Sequence, residues 1–175
     1  MEDVSDPPFR ALCKENGADV VYTEFISSEG LIRDAAKSIQ KLDIYEKERP
    51  VGIQIFGANL DSMLRSIEIV EASKPDIIDI NFGCPVKKVV SKGAGAGILR
   101  DVPLMVKLTA EMAKHTSLPL TVKTRLGWDN DSIKIVEVAE RLQDAGAKAI
   151  SIPVSYTHLR AHETEADLVC RLLLE

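Results

Sequence analysis

The sequence predicts an α/β protein built on a parallel sheet with helices packed over it. Two observations carry that reading. Five short runs rich in β-branched residues recur, centred near residues 21, 53, 78, 122 and 151, and glycine, proline and polar residues punctuate them. Helical periodicity fills most of the intervals between the runs. Such an alternation fits a (β/α)8 barrel or a doubly wound sheet. A whole barrel takes about 250 residues, so on the barrel reading these 175 residues hold part of one. Met1–Asp6 leads into the first helix with no strand before it, as expected of a barrel entered after its first strand.

Asp6-Pro7-Pro8-Phe9 opens the first helix, with proline tolerated in the first turn. Phe9, Leu12 and Cys13 share a face, predicted to be the buried one, and Gly17 ends the helix. Val20–Thr23 is a strand with Glu24 at its end, and 31–42 is mostly helical in pattern. Arg49-Pro50 stops that region ahead of a second strand, Val51–Phe56. Asn59-Leu60-Asp61 begins a helix in which Met63, Ile67 and Val70 recur at helical spacing. A third strand covers Ile77–Ile80, and helix 102–115 precedes a fourth, 120–124. Helix 131–145 places Ile135, Val138, Ala139 and Leu142 on one face and stops at Gly146, before a last strand at 149–152.

The composition, 45% hydrophobic and 28% charged, is that of a globular chain and not of a disordered one. No apolar run approaches the roughly 18 residues of a membrane span, and no secretory signal opens the chain, so a cytoplasmic protein is expected. Cys13, Cys84 and Cys170 are scattered without CxxC spacing, so neither a disulfide framework nor a metal site is indicated. A net charge of −5 gives no support to nucleic-acid binding beyond what a local basic patch could supply.

The stretch 76–100 draws most attention. Asn81-Phe82-Gly83-Cys84-Pro85 follows the third strand, then Lys87 and Lys88, then Gly93-Ala94-Gly95-Ala96-Gly97 and Arg100. A cysteine thus stands just past the carboxyl end of a strand, where α/β folds place their chemistry. The connection is also longer than most in compact domains. The glycines do not directly follow a strand as a dinucleotide fingerprint requires, and a flexible, substrate-facing loop is the expectation for them.

Several segments together resemble the bacterial type of flavin-dependent tRNA-dihydrouridine synthases. They are Met1–Arg10, Tyr22-Thr23-Glu24, Val51–Gly57 (VGIQIFG), Asp79–Lys88 (DINFGCPVKK), Gly93–Arg100 (GAGAGILR) and Thr121–Trp128 (TVKTRLGW). The resemblance implies a partial FMN-binding TIM barrel over residues 1–153, roughly strands two to six. A helical tRNA-binding domain and glycine-rich FMN-phosphate loops are then expected outside the chain. It further implies that NADPH reduces FMN, that hydride passes to C6 of a uracil ring, and that a cysteine gives C5 its proton. Cys84 occupies that donor position. A thiol is mostly protonated at neutral pH and can act as an acid. Cations held against the sulfur would favour thiolate, so Lys87 and Lys88 are expected to point elsewhere, toward RNA phosphates.

By the same resemblance Met1, Glu2, Gln54, Asn81 and Lys123 are the cofactor-binding candidates, with Lys123 beside the reduced ring to stabilise its negative charge. Asn81 has a plainer role open to it, that of turn former. Lys87, Lys88, Lys92, Arg100 and Arg125 are the candidates for RNA or substrate contact, a surface ion pair being the alternative for Arg125. Cys13 is expected in the core. The tRNA is the implied partner. A flavin barrel acting on free pyrimidines and a non-catalytic nucleotide-binding module are the rival functions. A third expectation is that the 175-residue chain by itself neither holds FMN stably nor turns over.

Residues 154–175 break the strand–helix rhythm. A helix around 166–174 and a metal pair His158/His162 are simple readings. The segment more closely resembles a translated sequencing adapter, with Glu165-Ala166-Asp167 at its index, which implies a non-native tail and removes His158, His162 and Cys170 from consideration.

Overall fold

The computed structural model describes residues 4–153 and the backbone of Val169–Leu173. Met1, Glu2, His158 and His162 lie outside the described residues, as does most of the tail.

Strands β1 (Val21–Tyr22), β2 (Ile26–Ser27), β3 (Val51–Phe56), β4 (Ile77–Asn81), β5 (Leu120–Lys123), β6 (Ala149–Pro153) and β7 (Val169–Leu173) form one sheet. Its order is β1-β3-β4-β5-β6-β7, with β2 also on β3. Pairing is parallel from β1 to β6, and the curled sheet is flanked by helices as part of a (β/α)8 barrel. Val169–Leu173 runs antiparallel to β6, as strand and not as helix.

Helices α1 (Pro7–Glu15), α2 (Ser28–Leu31), α3 (Ala36–Gln40), α4 (Leu60–Ala72), α5 (Lys87–Val90), α6 (Val102–His115) and α7 (Ile135–Asp144) link the strands. Side-chain caps start several of them: Asp6 accepts from Phe9 N at 3.1 Å, Asn59 from Ser62 N at 3.0 Å and Asp101 from Leu104 N at 3.0 Å, each satisfying a donor the first turn leaves open. α4 packs on α6 and α6 on α7. Met63, Ile67 and Val70 of α4, Met105, Leu108 and Met112 of α6, and Val138 and Leu142 of α7 join the buried cluster over the sheet.

The strand expected at 20–23 is β1, and a second fragment, β2, also pairs with β3. Two expectations need correction. The helical stretch 31–42 holds only the last residue of α2 and the short α3, because Asp34 takes φ 51° between them, a backbone region that short polar side chains tolerate. On α1, Phe9 and Leu12 are exposed and Cys13 half-buried, while Arg10 and Ala11 are inside. Arg10 explains the rotation: its Nε donates to buried Glu48 at 2.8 Å and its Nη2 to the Asp43 carbonyl at 2.7 Å. A buried guanidinium needs such partners, and a helix carrying one turns that side inward whatever its apolar residues prefer.

Candidate active site

Alternation along the strands sorts the sheet into two faces. Ile53, Ile78 and Leu120 stand in register, as do Ile55, Ile80, Val122 and Ile150, and all belong to the helix-side core. The intervening positions form the other face, where Gln54 stands beside Asp79, Asp79 beside Thr121, Asn81 beside Lys123, and Lys123 beside Ser151. The interior of a β/α barrel is ordinarily packed with bulky branched residues; here polar side chains occupy it.

Those side chains form one hydrogen-bonded chain. Thr121 Oγ1 donates to Asp79 Oδ1. Gln54 Nε2 donates to Asp79 Oδ2 at 2.6 Å, and Asn81 Nδ2 donates to Gln54 Oε1 at 2.8 Å. Asn81 Oδ1 then accepts the backbone N–H groups of Gly83 and Cys84, each at 3.0 Å. Asp79 is 3% exposed, and burial pushes its carboxyl up from 3.8 to about 6, against the bonds from Thr121 and Gln54 and the charge of Lys123.

Cys84, 7% exposed, sits in the turn that Asn81 closes. Its carbonyl accepts from Ala96 N at 2.9 Å. Gly95 adopts φ +55°, and a Cβ there would stand 2.7 Å from the Cys84 carbonyl oxygen and 3.0 Å from Cys84 Cβ. Ala94–Ile98 is buried and enters a 3-10 turn, Gly95–Arg100. The glycine-rich segment is therefore not a flexible substrate-facing loop. Its glycines allow a second layer of backbone to lie against the cysteine turn.

The basic candidates do not gather in one patch. Lys88 and Lys92 line a groove of about 640 Å³ with Arg33, Phe56 and Asn59. Lys87 and Arg100 line another, of about 700 Å³, with Pro85, Gly93 and Trp128, on whose ring the Arg100 guanidinium lies 3.5 Å from the centroid. Lys87, Lys88, Lys92 and Arg100 are exposed. Arg125 is buried, with its Cγ against Gly83, and not on the surface where an ion pair was considered for it. β5 ends at Lys123, and Arg125 turns instead under the cysteine loop.

Gln54, Asn81, Lys123 and Cys84 thus come together at the carboxyl ends of β3, β4 and β5. Sequence reasoning missed Asp79, Thr121 and Trp128. The signal for Asp79 was present, since a carboxylate inside Ile77-Ile78-Asp79-Ile80 has to find partners. Among the described residues no cluster of metal-ligating side chains occurs, and no helix is long and apolar enough to cross a membrane.

The family model described as dihydrouridine synthase (Dus) matches residues 1–167. A probable tRNA-dihydrouridine synthase of Aquifex aeolicus is 41% identical over 157 residues, covering 87% of this chain and 48% of that protein. One from Rhizobium leguminosarum is 35% identical over 167 residues, covering 95% and 52%. The tRNA-dihydrouridine synthase B of Pseudomonas aeruginosa is 34% identical over 152 residues, covering 87% and 46%. The chain spans about half the length of these curated relatives. With a strand-end cysteine, a polar inner sheet face and this run of matches in agreement, the chain belongs to the bacterial type of the dihydrouridine synthase family.

Proposed function

We propose that the protein to which this chain belongs reduces uridine to 5,6-dihydrouridine in tRNA, using FMN and taking reducing equivalents from NADPH. The observation that carries the reading is the placement of Cys84. It is fixed by two backbone contacts at the end of β4, beside a strand face whose polar side chains are already organised.

The donor set fits a flavin. Gln54 uses one amide hydrogen on Asp79 and one lone pair of Oε1 on Asn81, which leaves one N–H and one lone pair for the edge of a heteroaromatic ring. Lys123, on β5 in register with Asn81 of β4, brings a cation to the same face. When bound, FMN supplies the hydride for reduction of the C5=C6 bond.

Negative charge then develops toward C5 and the adjacent carbonyl of the uracil ring. Cys84 Sγ delivers a proton to C5, which lowers the barrier as charge builds. Asn81 holds the cysteine turn, and Lys123 stabilises anionic charge on the ring it faces. Lys87, Lys88, Lys92 and Arg100 guide RNA phosphates across the two grooves, and Arg125 supports the loop or reaches the substrate from beneath it. Met1 and Glu2, outside the described residues, are the remaining FMN-binding candidates by the family resemblance.

The test is to incubate the full-length protein with FMN, NADPH and unmodified tRNA, and to measure dihydrouridine by nucleoside mass spectrometry. Dihydrouridine formation that needs both cofactors is expected. An unchanged tRNA would overturn the proposal, and reduction of free uracil compounds alone would replace its substrate. The 175-residue chain by itself is expected not to retain FMN through gel filtration.

A further inference from the structure

The hydrogen-bonded chain on the inner face has a direction, and both of its ends are fixed. At one end stand the N–H groups of Gly83 and Cys84, which only donate. They require the oxygen of the Asn81 amide, so its nitrogen faces Gln54. Gln54 must present Oε1 to that nitrogen, which turns Nε2 toward Asp79. At the other end Asp79 Oδ2 accepts, so no member can reverse without setting donor against donor or acceptor against acceptor. We infer that Asp79 is a positioning residue: through Gln54 it sets the orientation of the Asn81 amide, and thereby holds the Cys84 turn and the ring-facing edge of Gln54 in one arrangement. Its consequence for turnover rests on the proposed reaction; its consequence for the turn does not.

The requirement on Asp79 is an accepting atom toward Gln54 and not a charge. Its other oxygen faces the Thr121 hydroxyl, which can donate or accept. A proton taken up by Asp79 can therefore lie on the Thr121 side while Oδ2 continues to accept. An asparagine can do the same, with its oxygen toward Gln54 and its nitrogen toward Thr121. Alanine cannot.

The experiment uses the full-length protein and amide hydrogen exchange at Gly83 and Cys84, read by NMR. Asp79→Ala is expected to speed exchange at both amides by about tenfold or more, the loss of a hydrogen bond's worth of protection. Gln54→Met, which cuts the same path at its middle, should do likewise, and the double variant should add little to either single one. Asp79→Asn should restore protection to within about threefold of the wild type.

Where the wild type reduces tRNA, Asp79→Ala should lower kcat by about tenfold to a hundredfold with little change in KM, and Asp79→Asn should restore it. A folded Asp79→Ala protein with wild-type exchange would overturn the inference. So would Asp79→Asn exchanging as fast as Asp79→Ala, or effects of Asp79→Ala and Gln54→Met that simply multiply. If Asp79→Ala does not fold, Gln54→Met decides, with wild-type exchange overturning the relay. A wild type that leaves tRNA unreduced sinks the proposed reaction, while the relay is still judged by exchange alone.

Discussion

The helix-side face of the sheet carries Ile53, Ile55, Ile78, Ile80 and Val122, each with no exposure. The opposite face of the same strands carries Gln54, Asp79, Asn81, Thr121 and Lys123. Neighbouring residues therefore do opposite work. The first set removes apolar area from water, at roughly 1.5–3 kcal/mol per fully buried side chain. The second keeps polar groups inside the fold and satisfies them with one another. Because the two alternate with a period of two, a slip of one residue in register would exchange them entirely. The strength of the helix-side packing is thus what keeps the polar face in place.

The largest expected effect tests whether chemistry belongs to the polar side alone. Cys84→Ala in the full-length protein should slow tRNA reduction by about 10²–10⁴-fold, while its unfolding midpoint stays close to that of the wild type. Wild-type turnover in a rapid-mixing assay would place the acid elsewhere. Ile80→Ala, one residue from both Asp79 and Asn81, should instead destabilise by about 2–5 kcal/mol, measured by urea titration. An unchanged midpoint would break the division between the faces.

Asp79 brings the comparison to pH. Its carboxyl is pushed up to about 6 from 3.8 by burial, so between those values the folded chain holds a proton that the unfolded chain has released. Its contribution to stability is fully present below about pH 4 and is lost as pH rises through 6, by on the order of 3 kcal/mol. Wild type minus Asp79→Asn, followed by thermal unfolding from pH 4 to 8, should show that decline, and a flat difference would contradict it. Gly95→Ala should cost roughly 1–3 kcal/mol from its left-handed backbone and alter the alkylation rate of Cys84 as the turn shifts. Arg100→Ala should have the smallest effect. Loss of the stack on Trp128 is expected to weaken tRNA binding by about 0.5–1 kcal/mol, measurable by filter binding.

Much of the fold could be read from local pattern. The strands β3 to β6 and the helices α4, α6 and α7 lie where runs and periodicity place them, because each has enough apolar residues at the right period to declare itself. Shorter elements escaped. Two-residue strands and four-residue helices have no period to read, and the side of α1 that turns inward depends on Glu48, 38 residues away from Arg10. At the site, Cys84 was singled out by its place past a strand end and Gln54, Asn81 and Lys123 by the family resemblance, and the fold sets these four candidates close together. The segment 93–97 was misjudged because glycine signals both mobility and close packing, and only its neighbours distinguish the two.

The amino-acid sequence by itself determined the parallel α/β plan, the family and the cysteine at the end of the third predicted strand, since periodicity and motif are properties of neighbouring residues. The tertiary structure alone decided that Asp79 closes a chain of hydrogen bonds to the Cys84 turn, that the glycines pack against that turn, and that the basic residues divide between two grooves. Each of those depends on strand register and on approaches between segments far apart in the chain, and no local pattern records which atoms meet.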